Sequence, residues 1–272
     1  MLTFPNAKIN LGLNIIEKRT DGYHNLETIF YPIPLEDILE ITTSPQSSRA
    51  YQLDITGTKI EGDPEKNLVI KALRILKQDF DIPPIRIHLH KIIPSGAGLG
   101  GGSANAAFML KLLNTNFNLG LSTSQLEQYA TKLGADCAFF INNKPTFAQG
   151  IGDLFTPIQL SLQGYQIYLV KPEVFVSTAM AYSSITPKQP TVPLTEIIQL
   201  PVKEWKNQMC NDFEKPIFLR FPELQALKES LYEAGATYAA MSGSGSTLFG
   251  LFKGKCPLKE DPHKHQYVLD LK

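Results

Sequence analysis

At 272 residues, with 43% hydrophobic and 19% charged side chains, the chain has room for one large domain or two small ones and an ordinary globular composition. Lys plus Arg and Asp plus Glu balance at 26 each, so no global field draws it to nucleic acid or to an anionic membrane, and any anion site must be local. Three cysteines, odd in number and widely spaced, argue against a disulfide framework and for a reducing compartment. No apolar run reaches the roughly 18 residues of a membrane span. The opening MLTFPNAKINLGLNII lacks the basic segment and long apolar stretch of a secretion signal, so the expected location is the cytoplasm.

Residues 6–16 alternate, with Ala7, Ile9, Leu11, Leu13 and Ile15 on one side and Lys8, Asn10, Gly12 and Asn14 on the other. The period predicts a strand with one core face and one polar face. Asp21-Gly22 gives a tight turn, and Tyr23 to Ile33 resumes an extended pattern. Leu53–Thr56 and Ile85–Ile93 read as further strands, and between them Asn67 caps a helix through Val69, Ile70, Leu73, Ile75 and Leu76. After a glycine-rich stretch a helix is predicted from Ser103 to Leu113, then another from about Ser122, in capping-box spacing with Gln125, to Leu133. Cys137–Ile141 reads as the start of a buried strand.

From about Gly152 the pattern restarts. Tyr165–Val170 is a predicted strand, and the prolines of 183–204 suit an irregular excursion. A helix is expected from Pro222 to Ala234, with Gly235 past its end. Tyr238–Met241 and Thr247–Phe252 are strands joined by SGSGS. Strands and helices mix without regular βα alternation, so the fold class is α+β with two halves.

PSGAGLGGGSANAA, residues 94–107, holds five glycines between a strand and a helix. Gly96, Gly98 and Gly101 satisfy the dinucleotide fingerprint, but a second helix follows the first, and no acidic strand end lies near residue 120. No lysine in the loop supports a Walker A form. A third reading is a backbone curl at a helix start, where unpaired N–H groups and a partial positive charge suit a nucleotide triphosphate, with Ser103 near a phosphate or its metal. Ala104, Ala106 and Ala107 would keep the first helical turn slim enough for a ligand to approach. A flexible surface loop is the bland alternative.

Lys8 is either a solvated strand lysine or a partner of this loop. Asp136, entering an apolar run, is either a turn aspartate or a buried carboxylate in need of a partner. If the two meet near the loop, the lysine would keep the carboxylate ionised and the carboxylate could accept a hydroxyl proton. MSGSGS, residues 241–246, is a second small-residue turn, suited to close approach of a ligand or to a plain strand connection. His88 with His90 and His263 with His265 lack further ligands, so no metal site is expected from them.

PNAKINLGLNI with DGYHNLETIF, PSGAGLGGGSANAA, and GATYAAMSGSGSTLFGLF resemble the three motifs of the galactokinase, homoserine kinase, mevalonate kinase and phosphomevalonate kinase (GHMP) superfamily. AKINL with DGYH, LGADCAFF and NDFE (residues 211–214) narrow the resemblance to the branch acting on 4-diphosphocytidyl-2-C-methyl-D-erythritol; it spans Phe4 to Phe252. The resemblance implies ATP- and Mg²⁺-dependent phosphorylation of that substrate's 2-hydroxyl, in the methylerythritol phosphate route to isoprenoids. It puts the catalytic lysine and aspartate on Lys8 and Asp136. The ATP loop falls on Pro94, Ser95, Gly96, Ala97, Gly98, Leu99, Gly100, Gly101, Gly102, Ser103 and Ala104. Tyr23 and His24 fall on the cytidine side, Asn10 near the substrate, and Thr178 and Tyr182 beside the base. Ala104 stands where many members have serine, and Asn105 where aspartate is frequent.

The fold implied is an N-terminal ribosomal-protein-S5-domain-2-like half, residues 1–151, which binds ATP, and a C-terminal ferredoxin-like half, residues 152–272. The implied partners are the cytidylyl substrate and ATP, with no nucleic acid and no membrane, in a monomer or homodimer. Another GHMP-type small-molecule kinase and a non-catalytic nucleotide-binding protein are the rival readings.

Overall fold

The computed structural model describes residues 1–44, 49–60 and 62–271. In chain order its strands are β1 (Leu2–Thr3), β2 (Asn6–Lys18), β3 (His24–Glu36), β4 (Ile38–Thr43), β5 (Tyr51–Gly57), β6 (Ile85–Lys91), β7 (Thr146–Gln149), β8 (Leu154–Pro157), β9 (Tyr165–Val170), β10 (Tyr238–Met241), β11 (Leu248–Lys253) and β12 (Gln266–Asp270). Its helices are α1 (Leu68–Leu76), α2 (Gly101–Asn116), α3 (Thr123–Thr131), α4 (Phe139–Asn142), α5 (Thr178–Ser183), α6 (Leu194–Ile197), α7 (Val202–Trp205), α8 (Glu214–Arg220) and α9 (Pro222–Glu233). They form two compact units, each built from separated stretches. The first is Met1–Ala7, Leu35–Ser95 and Gly100–Lys144; the second is Lys8–Pro34, Gly96–Leu99 and Pro145–Lys272.

The first unit holds a sheet in the order β1-β4-β6-β5. β4 runs antiparallel to β1 and β6, while β5 pairs parallel to β6, with Leu39 and Ile55 both opposite Leu89. α1 starts where Asn67 accepts the Val69 N–H at 3.0 Å, and it buries Val69, Ile70, Leu73 and Leu76. It packs on α2, which also carries α3 and α4. Ser122 and Gln125 complete the predicted capping box of α3.

Two expectations fail in this unit. α2 begins at Gly101 behind a left-handed Gly100, so Ser103 lies inside the first turn rather than at its mouth. Residues 137–141 are not a strand: a 3-10 turn over Ala135–Cys137 leads into α4. Cys137, Phe139, Phe140 and Ile141 are all buried, and an apolar run this short has no period by which to tell strand from buried helix.

The second unit carries two sheets, β2-β3-β7-β8 and β10-β11-β9-β12. The latter is antiparallel throughout, and α9 covers β10 and β11. α9 has Pro222 in its first turn and Gly235 at φ +96 just past its end, as the sequence predicts. The β7–β8 hairpin has no counterpart among the sequence-based elements. Residues 183–204 are irregular apart from the end of α5 and the short α6 and α7. β2 departs from its predicted two-faced pattern, because its polar side is buried too, with Lys8 4% and Asn10 2% exposed.

Candidate active site

A buried lysine needs hydrogen-bond partners, and β2 supplies the first from its own face. Lys8 Nζ donates to Asn10 Oδ1 at 2.6 Å and to the Gly98 carbonyl at 3.2 Å, and it lies 4.7 Å from the centre of the Phe30 ring. Asn10 Nδ2 donates to Thr28 Oγ1 at 2.9 Å, and Thr28 Oγ1 donates in turn to the Gly12 carbonyl at 2.6 Å. The Asn10 N–H reaches Ser242 Oγ at 3.3 Å, while Ser242 Oγ donates to the Gly98 carbonyl at 2.9 Å. The polar face of β2 is therefore a hydrogen-bonded network rather than a solvated surface.

The same contacts orient the glycine loop. The Lys8 N–H donates to the Leu99 carbonyl at 3.0 Å. In a planar trans peptide the N–H opposes the C=O. Holding the Gly98 and Leu99 carbonyls against β2 and Ser242 therefore turns the N–H groups of Leu99 and Gly100 the other way. Gly98 sits at φ +76, and a β-carbon there would lie 2.1 Å from the Ser242 carbonyl oxygen, so only glycine fits.

At the loop's exit, the first turn of α2 leaves N–H groups without helical partners. Ser95, Gly96 and Gly102 are exposed; Gly98, Gly100 and Ser103 are half-buried; Pro94, Ala97, Leu99 and Gly101 are buried. Ala104, Ala106 and Ala107 are fully buried, so they pack inward and do not thin a ligand-facing surface. The Ala104 N–H is bonded to the Gly100 carbonyl at 2.9 Å and belongs to the helix.

NDFE braces this region from within the second unit. Asn211 Nδ2 donates to the carbonyls of Met241 and Gly243, each at 2.8 Å, fixing the MSGSGS turn that presents Ser242. Asp212 Oδ2 accepts the Ile15 N–H of β2 at 2.8 Å, and Glu214 Oε1 accepts the Met241 N–H at 2.8 Å. Burial pushes the Glu214 carboxyl up, against the pull of Lys228, which donates to it at 2.6 Å.

His24 and Tyr182 are brought together, their rings stacked at 5.0 Å and 29°, with Phe213 edge-on to Tyr182 at 4.9 Å. Burial first, and Lys18 second, lower the His24 pKa, so its imidazole is neutral at pH 7. Tyr23 is 61% exposed. Thr178 is exposed, with Oγ1 3.3 Å from Ser244 Oγ in the small-residue turn.

Asp136 belongs to the first unit, Lys8 to the second. Asp136 is half-buried in the 3-10 turn, one residue before the buried Cys137. Burial pushes the Cys137 thiol up to about 11, so it is a core group and not a nucleophile. Ser242, Thr28 and Asn211 have no place among the sequence-based site residues. MSGSGS marks the turn but does not distinguish Ser242 from its neighbours.

Family models for the GHMP kinases N terminal domain and the GHMP kinases C terminal domain match residues 67–144 and 197–263. The first match contains α2 and Asp136; the second contains NDFE and MSGSGS. A 4-diphosphocytidyl-2-C-methyl-D-erythritol kinase of Bacteroides fragilis is 64% identical over 252 residues, covering 93% of this chain and 92% of that one. The chain belongs to this family of GHMP kinases. A Bacteroides thetaiotaomicron kinase of the same description is 58% identical, over 96% of this GHMP kinase and 95% of its own length. A crystal structure of 4-(cytidine 5'-diphospho)-2C-methyl-D-erythritol kinase superposes with a TM-score of 0.83 at 29% identity, covering 100% and 99% of the two chains. The α+β, two-domain architecture expected from the sequence is that of the family. Among the described residues, no helix of this kinase is long and apolar enough to cross a membrane.

Proposed function

We propose that this kinase transfers the γ-phosphoryl group of ATP to the 2-hydroxyl of 4-diphosphocytidyl-2-C-methyl-D-erythritol, on the methylerythritol phosphate route to isoprenoid precursors. The observation that carries the reading is the bond from the buried Lys8 ammonium to Gly98 of the glycine loop, across 90 residues of sequence. Phosphoryl transfer asks a protein chiefly for positioning and for stabilisation of charge. In this reading the N–H groups of residues 95–103 hold the ATP phosphates at the start of α2. Lys8 stabilises charge on the transferring group, and Asn10 holds Lys8 in register. Asp136 takes the proton of the attacking hydroxyl. The new bond joins that oxygen to the γ-phosphorus as the bond to ADP breaks.

His24, Tyr182 and Tyr23 suit the cytosine. Neutral imidazole offers both a donor and an acceptor, and the aromatic rings offer faces for stacking. Thr178 borders the same place on the chain. Ser103 offers a hard oxygen donor, which would fit Mg²⁺ arriving with the nucleotide and not a soft metal. Once bound, the ion supplies charge neutralisation on the phosphates. The proposed domain division is 1–151 and 152–272, in the cytoplasm, as a monomer or homodimer.

A coupled assay of ADP release, run with the cytidylyl substrate against mevalonate, homoserine and sugar acceptors, tests the reading. Turnover confined to the cytidylyl substrate supports it. A preference for another acceptor transfers the chain to a different GHMP activity, and ATP binding without turnover on any acceptor makes it a nucleotide-binding protein.

A further inference from the structure

One buried ionic cluster plays no part in the chemistry described so far. Asp37, Lys91 and Asn105 are 0%, 3% and 2% exposed, and they bond to one another in a closed triangle. Asp37 Oδ2 accepts from Lys91 Nζ and, at 2.8 Å, from Asn105 Nδ2; Lys91 Nζ also donates to Asn105 Oδ1 at 3.0 Å. The other carboxylate oxygen, Asp37 Oδ1, accepts the main-chain N–H groups of Ile92 and Ile93 at 2.7 and 2.9 Å. The Asp37 N–H itself donates to the Pro5 carbonyl at 2.8 Å. All of these residues lie in the first unit.

The placement of the triangle is what matters. Ile92 and Ile93 are the last residues before Pro94, where the glycine loop begins, and Asn105 lies on α2 just after the loop ends. Lys91 Nζ is 3.3 Å from where a β-carbon on Gly101 would sit. One carboxylate therefore grips the chain entering the loop with one oxygen and the helix leaving it with the other. A buried ion pair is weak evidence for stability, since an apolar replacement of similar volume often stabilises as well. What a hydrogen-bonded pair supplies that apolar packing does not is direction. We infer that Asp37, Lys91 and Asn105 are positioning residues that set the spacing and orientation of the loop's two ends, and so the fit of the loop to the ATP phosphates. The inference rests on the ATP role proposed for residues 95–103 and adds the part of the fold that holds that loop in shape.

The test uses the intact protein and three variants, titrated with ATP and Mg²⁺ by calorimetry without acceptor, with the acceptor KM measured in parallel. Asp37→Asn leaves Lys91 buried without its counter-ion and is prone to misfold, so the informative variant is Asn105→Ala, which keeps the Asp37–Lys91 pair and the grip on Ile92 and Ile93. Gly102→Glu reports on the loop itself: Gly102 is exposed, the nearest atom to its added β-carbon is Leu68 Cδ1 at 3.7 Å, and a carboxylate there repels phosphate. Loss of a hydrogen bond to a charged group shifts an equilibrium constant by about 10- to 100-fold, so Asn105→Ala should raise the Kd for ATP by roughly that factor per folded molecule while leaving the acceptor KM unchanged. Hydrogen exchange across residues 94–104 should accelerate in the same variant. If Gly102→Glu weakens ATP but Asn105→Ala does not, the inference is overturned and the loop's role stands. If Gly102→Glu leaves ATP affinity intact, the loop's role fails and the inference falls with it.

Discussion

Alanine at Gly98, Gly101 and Gly102 should separate three glycines that look alike in the sequence. A β-carbon at Gly98 meets the Ser242 carbonyl oxygen at 2.1 Å and the Gly245 carbonyl oxygen at 3.4 Å, on a backbone at φ +76. The left-handed conformation costs an alanine about 1–2 kcal/mol, and forcing backbone apart costs about 1–3 kcal/mol, so the total is about 2–5 kcal/mol. At about 2–4 °C per kcal/mol for a chain of this size, Tm should fall by about 4–20 °C. At Gly101 the clash is with Ile93 Cγ2 at 2.8 Å, a side chain that can yield, and about 1 kcal/mol is expected. At Gly102 the nearest atom is Leu68 Cδ1 at an ordinary contact distance of 3.7 Å and the backbone is helical, so alanine should stabilise by about 0.5–1 kcal/mol. Thermal and urea unfolding measure the order. The Gly98 variant should also show a raised KM for ATP, because its carbonyl anchors both Lys8 and Ser242. A Gly98→Ala protein as stable as Gly102→Ala would refute the claim that the loop is pressed against the 241–246 turn.

Asp136→Asn should lower kcat by about 10²- to 10⁴-fold with KM for ATP little changed, as steady-state kinetics would register. Lys8→Met should reduce kcat more than it alters either KM; an effect on KM alone would make Lys8 a binding group. The His24 pKa is lowered from its ordinary 6.5, so the unfolded chain binds the extra proton first as pH falls. Its stabilising contribution is therefore present above about pH 6.5 and is lost as pH drops through the lowered folded value, and acceptor KM should rise in that window; an imidazole titrating above 6.5 by NMR would contradict this. Among the thiols, Cys210 is exposed while Cys137 and Cys256 are buried. Partial burial first, and Asp212 second, raise the Cys210 pKa, so a disulfide reagent at pH 8 should give one slow reaction that speeds as pH rises, abolished by Cys210→Ser, and the other two thiols only on unfolding.

Local signals were legible in the sequence and long-range ones were not. The caps Asn67 and Ser122, the Pro222 start and the Gly235 stop act over three or four residues, and each appears where its local chemistry puts it. The strand–glycine–helix geometry of the loop was legible because the three are contiguous, while its phosphate-holding role belongs to the proposed function. The polar face of β2 misled, because a strand with alternating Lys and Asn looks solvated until its partners are known, and Ser242 is 232 residues from Asn10. Cys137–Ile141 misled for the opposite reason: burial on every side erases periodicity, and α2 and α3 decided the conformation. Asp37 and Lys91 were invisible as a pair, since 54 residues separate them and neither lies in a motif.

The tie between β2 and the 241–246 turn has a consequence for biosynthesis. Lys8 carries an ammonium destined for the interior, yet the chain that braces its surroundings is made much later: the Leu13 N–H waits for the Cys210 carbonyl, and the Asn10 N–H for Ser242, 232 residues on. Such distant pairings are slow to close and leave early segments without their native neighbours during synthesis. A nascent chain stalled before residue 210 would expose an N-terminal strand whose polar groups are still satisfied by water, a natural target for chaperones and proteases.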